Sequence, residues 1–331
     1  MPTRGVGIAV AFGGLAFTAL LSLAVGARSI PLGDVVEALR GHGEGTRDAT
    51  IVTDLRVPRT LLGIAAGASL GLAGALMQSL TRNPLADPGL LGINAGAAAA
   101  VVIAIGLLGL AGSTAYVWFA FLGAGLAAVA VYMIGAAGRG GATPVRLALA
   151  GTAISAALTA VIYGIVLTDP LLLQKYNLWS VGGLGGRGRS ELAGVVPFMV
   201  MGAVAALLLA RSLNALAMGE DSARALGARV GVTRIGGAAA ITLLCGAATA
   251  AVGPLYFLGL TVPHAARALC GPEVRWVLAY SAVLGAILLL VADVIGRVLV
   301  APEELQAGLM LAFVGAPLFI VIVRKRNIPA L

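Results

Sequence analysis

Ten long apolar stretches follow one another along the chain, and short polar turns separate most of them. They cover residues 6–26, 60–80, 90–110, 115–137, 145–168, 191–210, 235–253, 256–270, 274–297 and 305–323. A helix of about 20 apolar residues crosses the hydrocarbon core of a bilayer. Charged residues make up only 11% of the chain, too few to cover a soluble protein of this size. We therefore predict an all-α polytopic membrane protein with about ten transmembrane helices, in one domain over residues 1–331.

The distribution of positive charge predicts the orientation of these spans. An even number of spans places both termini on one side of the membrane. With the termini inside, 13 of the 22 Lys and Arg residues fall in cytoplasmic segments and nine in outer segments. Cytoplasmic loops of membrane proteins carry the excess of Lys and Arg, so both termini are predicted to be cytoplasmic. The same rule accounts for the net charge of +8, and we expect no nucleic-acid partner.

The second span carries four glycines, Gly63, Gly67, Gly71 and Gly74, at steps of four, four and three residues. This spacing places them on one face of a helix. Lipid provides no hydrophobic force between helices, so close backbone approach over small residues must hold them together. The stripe predicts a tightly packed bundle of helices and has no chemical role.

Residues 78–92, directly after the second span, combine polar side chains with Pro84 and Pro88. The prolines end one helix and shape the entry to the next, while Asn83 and Asp87 can cap free backbone amides. Two interpretations remain open. The segment is either a tight cytoplasmic hairpin or polar, non-helical backbone that lines a pathway or gate.

The connection between the sixth and seventh spans is about 20 residues long, more than two neighbouring helices require. We predict two short helices over residues 212–229, broken at Gly219. Glu220 or Asp221 would then lie at the positive N-terminus of the second helix. The segment is either a connector or a docking surface for a cytoplasmic partner.

Two glycines and two prolines within residues 253–264 predict a broken helix, of the kind that transporters use to line a cavity. His264 has no second histidine nearby, so a structural hydrogen bond is expected in place of a metal or proton-relay role. Asp293 and Arg297 are four residues apart near the outer end of the ninth span. They predict an intrahelical ion pair, or a functional group within the membrane.

The motifs of several enzyme classes are absent from the sequence. We find no P-loop, no nucleophile elbow and no zinc-ligand pattern, and Cys245 and Cys270 have no CxxC partner. We therefore expect neither catalysis nor a metal or cofactor in this chain. An ion-coupled secondary transporter is the alternative class, but it would require intramembrane Asp or Glu residues, and the middles of the spans nearly lack them.

Several motifs occur in a fixed order along the chain. They are Arg56-Val57-Pro58-Arg59-Thr60, the Asn83–Gly92 segment, Ala225-Leu226-Gly227, the Gly253–Arg267 segment and Gly315-Ala316-Pro317-Leu318-Phe319 before a basic C-terminus. Together they closely resemble the FecCD family, over nearly the whole chain past residue 50. The family comprises permease subunits of ABC importers for ferric siderophores, haem and cobalamin.

The resemblance implies ten spans, a second permease subunit that is either an identical copy or a paralogue, and two separate ATPase subunits. ATP and magnesium would bind in those ATPases, so no cofactor is expected here. The complex would lie in the lipid of the bacterial inner membrane. An extracytoplasmic substrate-binding protein would deliver the cargo to it. Alternating access would then move a ferric siderophore, the most frequent cargo of the family, with haem or cobalamin as alternatives.

The resemblance also implies roles for individual residues. Arg56, Arg59 and Arg297 match the outer arginines that receive acidic residues of the binding protein. In the coupling loop, about residues 212–230, the implied ATPase contacts are Glu220, Asp221, Ala223, Leu226 and Gly227. Asn83, Leu85 and Thr143 match the cytoplasmic gate.

Overall fold

The computed structural model describes residues 2–42, 45–110, 113–137 and 143–324, and every regular element in these ranges is a helix. In chain order they are α1 (Pro2–Ala24), α2 (Leu32–Leu39), α3 (Arg47–Thr50), α4 (Val57–Thr81), α5 (Ile93–Gly106), α6 (Ser113–Ala136), α7 (Pro144–Val166), α8 (Pro170–Val181), α9 (Arg189–Ala217), α10 (Glu220–Ala225), α11 (Val230–Val252), α12 (Leu258–Cys270), α13 (Val274–Leu299) and α14 (Ala307–Arg324). Of the Lys and Arg residues used to orient the chain, Arg139, Lys325 and Arg326 lie outside the described residues.

Each predicted apolar stretch coincides with one of these helices, namely α1, α4 to α7, α9 and α11 to α14. Within the described ranges, seven helices are long and apolar enough to cross a membrane. The predicted class, an all-helical membrane protein, is therefore confirmed. The count of ten spans stays a prediction, because α5 and α12 have only 14 and 13 residues. The cytoplasmic termini also stay a prediction, because helix length and composition do not give an orientation.

The second span begins earlier than the sequence predicts. Helical backbone runs from Arg47, through a π-helical turn over Ile51–Arg56, directly into α4. Pro58 lies in the first turn of α4 and has no N–H to donate. A wider π turn just before this proline avoids the clash that its ring would cause with a regular preceding turn. Two short helices, α2 before the π turn and α8 after α7, were also not predicted.

Helix α4 lies at the centre of the bundle, and its glycine face is in direct backbone contact with its neighbours. A Cβ atom on Gly71 would overlap with the carbonyl oxygen of Ser281 in α13, and one on Gly74 with that of Gly259 in α12. On Gly67 it would lie 2.7 Å from the Cα of Ala286. The prediction of close packing over this stripe is confirmed, because any side chain there would force the helices apart.

The predicted break near residue 253 is also confirmed. Helix α11 ends at Val252, α12 begins at Leu258, and the backbone between them turns at Gly253, with φ of 79°, and Phe257, with φ of 66°. A left-handed conformation is unusual for a phenylalanine. The segment lies inside the bundle, with Gly253, Pro254 and Leu255 all buried.

We predict that Gly71→Ala lowers the free energy of unfolding by about 1–3 kcal/mol, the usual cost of overpacking. The added methyl group overlaps backbone of α13, which cannot rotate away as a side chain can. Gly125→Ala in α6 is the matched control, since no atom of a neighbouring helix lies within 4 Å of the place that its methyl group would occupy. Thermal unfolding in detergent should show a lower midpoint for the first variant only. Equal midpoints would contradict the packing described here.

Candidate functional site

Three arginines that the sequence singles out lie together at one end of α4 and α13. Asp293, which is only 1% exposed, accepts hydrogen bonds from two of them. Its Oδ1 lies 2.8 Å from Nη2 of Arg59, and its Oδ2 lies 2.6 Å from Nη2 of Arg297. A second hydrogen bond of 2.7 Å joins Nη1 of Arg59 to Glu304. The predicted intrahelical pair of Asp293 and Arg297 is therefore confirmed, as part of a larger network.

Arg56 and Arg297 direct their guanidinium groups toward the end of α1. Nη1 of Arg56 donates to the carbonyl of Leu23 at 2.7 Å, and its Nη2 donates to the carbonyl of Arg28. Nη1 of Arg297 donates to the carbonyl of Ser22 at 2.9 Å. Both side chains are buried, and the bonds to Ser22 and Leu23 satisfy carbonyls that the last turn of α1 leaves without partners. The arginine cluster thus fastens α1, α4 and α13 to one another.

The loop between α9 and α11 differs from its prediction. We expected two short helices over residues 212–229, but the first is the unbroken end of α9, which continues to Ala217. Residues 212–217 contain only Ser, Leu, Asn and Ala, and nothing in them stops a helix. The break does occur at Gly219, with φ of 105°, and only the six-residue α10 follows it.

The implied coupling residues divide into an exposed and a buried set. Asp221 and Leu226 are exposed, whereas Ala223 is fully buried against Leu216 and Val230 and so anchors α10 in place of offering a contact surface. Glu220 forms ion pairs with Arg224 and Arg234. Gly227 ends the segment with φ of 81°, a conformation that other residues rarely adopt.

The implied gate residues lie at helix ends. Asn83 follows α4, and its side-chain oxygen accepts a hydrogen bond of 3.0 Å from the amide of Leu85, which forms a compact turn. Thr143 is the N-cap of α7 and accepts from the amide of Arg146 at 3.4 Å. Among the hydrogen bonds of the described residues, none joins Thr143 to the Asn83 turn.

One buried polar group near this turn makes contacts that were not predicted. Gln78, which is fully buried in the last turn of α4, donates to the carbonyl of Leu260 at 3.1 Å and accepts from Arg267, both in α12. The predicted capping role of Asp87, by contrast, is confirmed, because its side chain accepts from the amide of Gly89 at 2.8 Å. Burial raises the pKa of its carboxyl group. The polar residue types were visible in the sequence, but the partners of Gln78 lie about 180 residues away.

Comparison with known proteins assigns the chain to a family. The FecCD transport family profile matches residues 14–325. The chain belongs to this family. It is 47% identical over 308 residues to the ferric enterobactin transport system permease protein FepD of Escherichia coli, covering 93% of this chain and 91% of that protein. It is 42% identical over 281 residues to the probable siderophore transport system permease protein YfiZ of Bacillus subtilis, with coverages of 85% and 84%.

A haem relative and a solved structure extend the comparison. The hemin transport system permease protein HmuU of Yersinia pestis is 37% identical over 291 residues, covering 85% of this chain and 86% of that protein. A solved structure described as an inward-facing metal-chelate type ABC transporter superposes with a TM-score of 0.84 over 98% of this chain and all of the other. At 24% identity, this likeness establishes only that the two chains share a fold.

We predict that Asp293→Asn destabilises the protein by about 3–5 kcal/mol, because it leaves buried guanidinium groups without their counter-charge. Asp54→Asn is the matched control. Asp54 pairs with Arg189 at 3.9 Å, but both side chains are exposed, and such pairs contribute about 1 kcal/mol at most. Thermal unfolding in detergent distinguishes the two variants. An Asp293→Asn protein as stable as the control would show that the buried network contributes little.

Proposed function

We propose that this chain is the permease subunit of an ATP-driven importer that carries a ferric siderophore across the bacterial inner membrane. One observation carries the proposal. Relatives at 47% and 42% identity, aligned over more than four fifths of both chains, are named as permeases for ferric enterobactin and for siderophores. The haem permease relative, at 37% identity, makes haem the second candidate cargo.

In the proposed topology the ten apolar helices all span the bilayer, with both termini in the cytoplasm. The short helix α5 packs against α6 and α11, and the short helix α12 packs against α4. These contacts compensate for the small number of residues in each helix. The loop with α10 then lies on the cytoplasmic side, and the arginine cluster lies near the outer surface. The excess of Lys and Arg in the cytoplasmic segments supports this orientation.

Two ATPase subunits and a second permease subunit are proposed to complete the transporter, with ATP and magnesium bound in the ATPases. Helix α10 is the proposed coupling element. The exposed Asp221 in this helix and Leu226 directly after it offer a charge and an apolar contact to the ATPase, while the buried Ala223 transmits the movement to α9 and α11. A rigid, anchored helix is suited to this task, because a flexible loop would absorb the displacement.

The binding protein is proposed to dock over the arginine cluster at the outer end. Arg59, with 14% of its side chain exposed, and the partly exposed Glu304 lie at the surface of this cluster. Arg56 and Arg297 lie beneath them. They supply positive charge but do not contact the binding protein directly. Carboxylates of the binding protein would exchange with Glu304 for the guanidinium group of Arg59, since arginine forms charge-assisted pairs with carboxylates.

The cargo is proposed to cross by alternating access. ATP binding closes the ATPase pair, α10 moves with it, and the outer and cytoplasmic gates open in turn. The ion-coupled alternative gains no support from the described helices. Asp293, a buried carboxylate within α13, is already ion-paired with two arginines.

The test is uptake of an iron-55-labelled ferric catecholate into proteoliposomes that contain the complete transporter and enclose ATP, with the binding protein outside. We expect uptake with ATP and none with a non-hydrolysable analogue. Uptake of haem in place of the catecholate would select the second candidate. Uptake driven by an ion gradient without ATP would overturn the proposal.

We predict that Leu226→Ala reduces the ATPase that co-purifies with the permease by about fivefold, because truncating a central contact costs about 1 kcal/mol or more. Leu39→Ala in α2 is the matched control. Leu39 is exposed to a similar degree, at 49% against 65%, but lies on the proposed outer side. Quantitative mass spectrometry of the purified complex measures both. Equal ATPase content in the two variants would exclude Leu226 from the interface.

A further inference from the structure

We propose that His264 positions the cytoplasmic gate turn, residues 83–85, by holding the carbonyl of Pro84 from α12. The inference rests on the proposed function in one respect, the assignment of this turn as a gate. Its structural part, the fastening of the turn to α12, rests on contacts alone.

One face of α12 is fastened to α4 and to the turn that follows it. The carbonyl of Leu260 accepts from Gln78, the Nε2 of His264 lies 2.8 Å from the carbonyl oxygen of Pro84, and Arg267 donates to Gln78. Positions 260, 264 and 267 are four and three residues apart and therefore share one face of the helix. Of these three contacts, only that of His264 reaches the turn itself.

The chemistry of this contact fixes the state of the histidine. A carbonyl oxygen only accepts hydrogen bonds, so the Nε2 of His264 must carry the proton and donate it to Pro84. The prolyl residue has no N–H of its own. The carbonyl of Pro84 is therefore its one backbone group that can form a hydrogen bond.

The other hydrogen bonds of the turn are local. The amide of Asn83 donates to Gln78, the amide of Leu85 to the Asn83 side chain, and the amide of Ala86 to the Asn83 carbonyl. These bonds fix the shape of the turn and its attachment to the end of α4, but not its place relative to α12. In the described part of the chain, His264 makes the hydrogen bond that ties residues 83–85 to a distant helix.

The opposite end of α12 is held just as closely. Gly259 lies against Gly74 with their backbones in contact, and the helix begins at the break, where Phe257 is left-handed. Helix α12 thus runs from the break inside the bundle to the gate turn, with contacts to α4 along its length. A gate seals only if its residues occupy a defined position, and His264 supplies that position to Asn83 and Leu85.

Three variants separate the hydrogen bond from the bulk of the side chain. In His264→Ala the donor is lost. His264→Gln places an amide nitrogen near the former Nε2, whereas in His264→Asn the shorter side chain brings its amide nitrogen closer to the former Nδ1. The Gln and Asn side chains carry the same amide group, so each serves as the control for the other.

Two measurements are made on the complete transporter in proteoliposomes. The first is hydrogen exchange of the amides in residues 83–86. The second is the number of cargo molecules taken up per ATP hydrolysed. In the Ala and Asn variants we expect amide exchange to be about fivefold faster, the factor that corresponds to the loss of one hydrogen bond. We also expect several-fold fewer cargo molecules taken up per ATP hydrolysed. The Gln variant should resemble the wild type in both.

The outcomes are separable. Exchange and transport ratio unchanged in His264→Ala, or a Gln variant that behaves like the Ala variant, would overturn the proposal. If the Ala variant does not fold, the comparison of Gln with Asn still tests it. If the wild type fails to take up any cargo with ATP, the proposed function fails, while hydrogen exchange still tests whether His264 holds the turn.

Discussion

Direct backbone contact between helices is the constraint on which this fold depends. In lipid the helices gain nothing from burying apolar surface against each other, so they associate through van der Waals contact at close range. The glycines of α4 allow that range. Gly67 and Gly71 admit α13, and Gly74 admits the start of α12. Because α4 touches both helices without intervening side chains, it serves as the fixed axis against which the rest of the bundle is placed.

Polar networks fix both ends of this axis. At one end Arg59 of α4 meets Asp293 of α13, and at the other Gln78 meets Leu260 and Arg267 of α12. Charged and polar groups are costly to bury without partners. Their pairing in fixed geometry therefore sets the register of the helices, which contact between small residues alone leaves free to slide. The middle of α4 supplies the packing energy, and its ends supply the position.

Much of this arrangement is visible in the sequence, and the rest is hidden for identifiable reasons. Apolar length predicts all ten apolar helices, and glycine spacing predicts the packed face of α4. Apolar length does not predict the π turn before Pro58, the short helix α8 or the continuous end of α9, since hydropathy reports burial in lipid and not helicity. A structural role for His264 follows from its isolation, but its partner Pro84 does not. Likewise the burial of Arg56 depends on Leu23 and Arg28, which lie about 30 residues away in the chain.

The segment that follows the unpredicted helix α8 explains how a broken helix can exist inside a bundle of apolar helices. Non-helical backbone there must find partners within the protein, because lipid offers none. The amide of Gly183, just after α8, donates to the carbonyl of Val252 at 2.7 Å, where α11 ends. The amide of Gly308 in α14 donates in turn to the carbonyl of Gly182 at 3.0 Å. The segment after α8 thus joins the break to α14, so that α12 has a supported origin inside the bundle and reaches the turn at residues 83–85 from a fixed point.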